Sequence, residues 1–124
     1  MGDRVLVIFT DGAEVSPTVY LHWNGTATPA LLARLKDLMK GREGDVQYSA
    51  ARFIGICHKH IEGNLSLGTW NTEPATIEAI RKKSADLASV LENESHGDAG
   101  VVLLNVNDMT WKAYGGYLAK EEAA

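Results

Sequence analysis

Residues 4–10 read RVLVIFT, and this run constrains the fold more than any other part of the chain. Branched and aromatic side chains favour extended backbone because they pack well on a pleated surface. The run stops at Asp11-Gly12, a turn pair. Strand side chains alternate between two faces. Here Val5, Val7 and Phe9 are apolar on one parity, and Leu6 and Ile8 on the other. Such a strand is central and covered on both faces, or covered by helices and by a subunit partner.

The rest of the chain has to supply that cover. Residues 18–23 predict a second strand, antiparallel to the first, with Val19, Leu21 and Trp23 on one face and Tyr20 and His22 on the other. Asn24-Gly25 ends it. Thr28-Pro29 suits a helix start, threonine as cap and proline at the first helical position. Leu31, Leu32, Leu35, Leu38 and Met39 then recur at helical spacing up to Gly41. Asp45 caps a second helix whose buried stripe is Val46, Ala50, Phe53, Ile54, Cys57 and Ile61, ended by Gly63. Residues 64–70 read as a short strand, Gly68 marking a bulge or a close backbone approach. Residues 71–74 turn the chain, and Ile77, Ile80, Leu87 and Leu91 then predict one helix running to about 94. Residues 100–106 and 109–114 predict a closing hairpin about Asn107-Asp108. The order is β-β-α-α-β-α-β-β. With hairpins at both ends it predicts an α+β two-layer domain, a mostly antiparallel sheet with the helices packed on one face.

At 124 residues the expectation is a single domain over 1–124, with about 119–124 a frayed tail. An apolar content of 45% and a charged content of 23% place the chain among globular proteins. A net charge of -4 argues against direct binding to nucleic acid or to an anionic membrane. Cys57 is the single cysteine, so no internal disulfide is available and a reducing compartment is suitable. The first apolar run, 5–9, is too short for a signal or a membrane span. A cytoplasmic location follows as the expectation.

Motifs for reaction chemistry are missing. No G-x-x-x-x-G-K, G-x-G-x-x-G or G-x-S-x-G occurs. His58 and His60 lack the i, i+4 spacing by which one helix holds zinc, and no metal or other cofactor is expected. Cys57 falls in an apolar stripe and, on a helix, points about 100° away from His58, so a cysteine nucleophile is not expected. No carboxylate sits in an apolar context that marks a raised pKa. The residues that remain are aromatic and hydrogen-bonding: Tyr20, His22 and Trp23 at the end of the second strand, Arg52 on the second helix and Trp70 at the end of the third strand. Rings stack on a base and arginine engages phosphate with two parallel hydrogen bonds, so this set predicts a site for a small nucleotide. Tyrosine and tryptophan are equally at home at a core margin or a subunit interface.

The stretch Tyr20-x-His22-Trp23-Asn24-Gly25 resembles a set of small, mostly uncharacterised phage and bacterial proteins marked by an aromatic-x-His-Trp-Asp/Asn-Gly turn after a hairpin. Ala50-Ala51-Arg52-Phe53 and Asp108-Met109-Thr110-Trp111 stand where that set carries an alanine-arginine helix and a tryptophan-bearing last strand pair. Asn24 replaces the commoner acidic residue. The resemblance implies a phage or mobile-element context and carries over no catalytic residue. The expectation is a non-enzymatic, homo-oligomeric binding protein, an anti-defence factor that sequesters a small nucleotide-derived ligand. The alternatives are an inhibitor that docks on a host defence protein, in the manner of an anti-CRISPR protein, and a small metal-dependent hydrolase using His22 or His60.

Overall fold

The computed structural model describes residues 2–61 and 66–123. Five strands form one open sheet: β1 (Val5–Thr10), β2 (Thr18–Leu21), β3 (Leu67–Trp70), β4 (Gly100–Asn105) and β5 (Thr110–Tyr114), in the order β3-β2-β1-β4-β5. Three of its four pairings are antiparallel, and β1 pairs with β4 in parallel from Val5↔Gly100 to Thr10↔Asn105. The helices are α1 (Thr28–Leu38), α2 (Val46–His60), α3 (Pro74–Arg81), α4 (Leu87–Glu94) and α5 (Tyr117–Ala123), with a short 3-10 turn over Gly25–Ala27.

All six residues of β1 are buried, as its double apolar pattern requires. Val5, Val7 and Phe9 join Val19, Leu21, Val102 and Leu104 under the apolar faces of α1 and α2, with Leu118 of α5 at the margin. Leu6, Ile8 and Val101 pack against Ile80 of α3 and Leu91 of α4. The α+β class, the mostly antiparallel sheet and both hairpins agree with the sequence reading. The placing of the helices differs, because they cover both faces of the sheet rather than one. Gathered on one face, they would leave Leu6, Ile8 and Val101 in water.

Three local expectations also change. The single helix expected from the 71–74 turn to about 94 is two, α3 and α4. The chain leaves α3 with Lys83 in the left-handed region at φ 50°, while Lys83 N donates to Ile80 O and Ser84 N to Ala79 O. Those two bonds form a Schellman motif, which usually carries glycine at this position. Thr28 does not cap α1: its side chain makes no capping bond, and its buried Oγ1 has no hydrogen-bond partner among the described residues. Gly68 marks neither a bulge nor a close approach. It pairs in register with Tyr20, and a Cβ there would meet nothing within 4 Å. Gly63 lies outside the described residues.

Asp45 does cap α2, accepting from Tyr48 N at 3.0 Å. Gly25 is required sterically. A Cβ there would lie 2.6 Å from the Ala99 Cβ and 2.8 Å from Asp3 Oδ1. Asp3 gathers this corner, accepting from Thr26 Oγ1 at 2.7 Å and from Tyr117 Oη at 2.5 Å, and so ties the N-terminal segment to α5.

Candidate functional site

The aromatic face is built from the alternation of β2. Tyr20 lies on the side of the sheet covered by α3 and α4, and His22, the first residue after β2, brings its ring against that of Tyr20. Tyr20 Oη hydrogen-bonds His22 Nδ1 at 2.5 Å. Gly68, opposite Tyr20 on β3, presents no side chain. The ring that reaches Tyr20 is therefore Trp70, two residues along the same face, with centroids 5.3 Å apart. Strand β2 ends at Leu21, so the alternation that set Trp23 beside Val19 and Leu21 does not extend to it. Trp23 turns edge-on to His22 at 4.3 Å instead. Trp23 is 53% exposed and Trp70 42% exposed.

The loop between α4 and β4 adds His96, whose ring lies 5.7 Å from that of Tyr20. Arg4 holds this loop, donating from Nη2 to His96 O at 3.0 Å and from Nε to Asp98 Oδ2 at 2.8 Å. The Arg4 guanidinium also holds the Asp98 carboxyl below its ordinary value of 3.8. His96 was not expected here. It sits in a Ser-His-Gly-Asp turn with no local signal, and only the pairing of β4 with β1 carries that turn beside β2.

Four of the five expected ligand residues, Tyr20, His22, Trp23 and Trp70, are thus together. Arg52 is not with them. It lies on α2, across the sheet, where Nη1 donates to Leu38 O at 2.6 Å and the guanidinium stands 5.6 Å from the Tyr48 ring. It lines a cleft between α1 and α2 together with Arg34, Lys59 and His60. The reason is helical geometry: Phe53 and Cys57 face the sheet, so Arg52 has to sit at the rim.

Cys57 is fully buried, and burial pushes its thiol up to about 12. A thiol so protonated at neutral pH is a packing group rather than a nucleophile. Glu94 is the carboxylate with a raised pKa that the sequence did not reveal. Burial raises it, outweighing the hydrogen bond from Thr76, and Glu73 adds to the rise. Among the described residues no three His, Cys, Asp or Glu side chains are grouped to hold a metal ion. No described helix is long and apolar enough to cross a membrane.

No protein-family model matches the chain, and neither a curated protein nor a solved structure matches it.

Proposed function

We propose that the chain is a non-enzymatic binding protein that holds a small nucleotide-derived ligand by stacking its base on the Tyr20–His22–Trp23–Trp70 face, and that it serves as a phage-type anti-defence factor by sequestering such a signal in the cytoplasm. One observation carries this reading: two tryptophans, each about half exposed, flank a hydrogen-bonded Tyr20–His22 pair. Exposed rings supply stacking area, while the imidazoles of His22 and His96 supply hydrogen-bonding edges beside it. The resemblance around Tyr20 to Gly25 supports the phage context. Arg52 is not needed for this face, since stacking and imidazole contacts do the holding.

Isothermal titration of the full chain against a panel of cyclic and linear nucleotides tests it. A saturable heat is expected for at least one of them. Trp70→Ala should weaken it by about 1–3 kcal/mol, the usual worth of one stacked base. Silence across the panel overturns the sequestration reading.

The exposure of Trp23 and Trp70 also favours a second reading, in which the same face docks on a protein. Tryptophan and tyrosine are the residues most enriched among energetic anchors of interfaces. The partner is then a host defence effector or a second copy of this chain. One ground for expecting a homo-oligomer has gone, because the chain's own helices cover both sides of β1. The aromatic face is the ground that stays. Light scattering at the 13.4 kDa monomer mass would remove self-association. Capture of a purified effector that Trp23→Ala abolishes would favour the docking version.

A further inference from the structure

The cleft between α1 and α2 lies on the other side of the sheet from the aromatic face, and its volume is about 450 Å³. Arg34, Arg52, Lys59 and His60 line it, with Ile56 buried at its base and Leu38 exposed at its rim. Helix periodicity brings these residues together. On α2, Arg52, Ile56, Lys59 and His60 follow at steps of four, three and one, and so share a face. On α1, Arg34 and Leu38 stand one turn apart.

The sign of the charge is the first point. The chain carries -4 overall, yet among the described residues this cleft holds three permanent cations and an imidazole against one carboxylate, Asp37. Asp37 is itself engaged by Lys40 at 3.5 Å. Among the described residues neither Arg34 nor Lys59 has an ion-pair partner. Arg52 is oriented by the Leu38 carbonyl, so one guanidinium is placed in advance. Loss of solvation, and after it the positive charge of Arg34 and Lys59, lowers the pKa of His60.

Gly55 is the second, independent point. It is an exposed glycine in the interior of α2, where glycine is less stable than alanine. A Cβ there would meet nothing within 4 Å, so packing does not demand the glycine. Its missing side chain leaves the wall of the cleft open.

We propose that this cleft binds a small phosphorylated molecule, with Arg34, Arg52 and Lys59 taking its phosphate groups and its apolar part lying over Leu38 and Ile56. Two guanidinium forks match phosphate oxygens in pairs, which favours phosphate over a single carboxylate. The volume is that of a small-molecule site. A long polyanion would meet the repulsion of the remaining acidic surface. The proposal stands independently of the aromatic face.

The test is titration calorimetry of the full chain at near-physiological salt with inorganic pyrophosphate and with ATP. Pyrophosphate has no ring to stack, so its binding reports the cleft alone. Saturable binding of both is expected. The Arg34→Glu/Lys59→Glu double variant and the uncharged steric variant Gly55→Leu should each weaken pyrophosphate binding about tenfold or more, while Lys82→Ala, which removes a cation on the other side of the sheet, leaves it unchanged. Gly55→Leu raises helix propensity, so a loss of binding there reports the blocked cleft rather than unfolding. The proposal is overturned if pyrophosphate does not bind, if its binding survives the double variant, or if a single-stranded oligonucleotide binds the same cleft more tightly than ATP.

Discussion

Thr28 carries the side-chain oxygen in the described core that has lost water without gaining a partner. An unmade hydrogen bond of that kind costs about 1–3 kcal/mol. Valine has the same shape without the hydroxyl. Thr28→Val is therefore expected to stabilise the fold by roughly 1 kcal/mol, read as a rise of about 3–5 °C in the thermal midpoint. A fall of that size would mean that the hydroxyl is bonded after all. The sequence invited the opposite view, since Thr-Pro is a good helix start. What it could not show is the 3-10 turn over Gly25–Ala27, which already leads the chain into α1 and leaves Thr28 helical. Cys57 was legible because its place in an apolar stripe follows from spacing alone. Glu94 was not: its burial and its contact with Thr76 join α4 to α3, two elements whose docking leaves no trace in the local sequence.

At the scale of elements, the break between α3 and α4 turns on Lys83. A non-glycine residue in the left-handed region costs roughly 1–2 kcal/mol, part of which glycine gives back through its greater freedom in the unfolded chain. Lys83→Gly should stabilise the protein by about 0.5–1 kcal/mol without moving either helix. A denaturant midpoint that falls or stays put would show that the Lys83 side chain contributes more than its backbone strain removes. The missing glycine explains why the pattern from Ile77 to Leu91 read as one helix. Apolar residues keep helical phase across the turn, and no residue there announces a stop. In α2 the signals agree with one another, with Asp45 at the cap and the apolar stripe behind it, and the helix is where the sequence set it.

At the scale of the molecule, Arg4 and Asp98 join the entrance of β1 to the entrance of β4, residues 94 apart in sequence. The folded pKa of Asp98 lies below its ordinary 3.8 because Arg4 donates to its carboxylate. A carboxylate so lowered adds stability that is fully present above the unfolded value and is lost as pH falls through the folded one. Asp3 adds in the same sense: burial raises it, but the hydrogen bonds from Tyr117 and Thr26 outweigh that and lower it. The contribution of these two carboxylates should therefore be complete above about pH 4 and be lost below it, read as an acid fall in the thermal midpoint. In Asp98→Asn the fall should be shallower and the neutral-pH midpoint lower. Equal acid slopes in the two proteins would remove the Arg4–Asp98 pair from the account. The same distant pairing decides the candidate sites. Sequence by itself determined what one element says about its own faces: the double apolar face of β1, Tyr20 and His22 on one side of β2, the hairpins, and the cap of α2. Tertiary structure alone decided that β1 runs parallel to β4, that His96 therefore joins Tyr20, and that Arg52 stands across the sheet from both. The physical reason is that periodicity is a local property of the backbone. Which faces meet is settled by contacts such as Val5 with Gly100, and their free energy belongs to the pair and is written in neither segment alone.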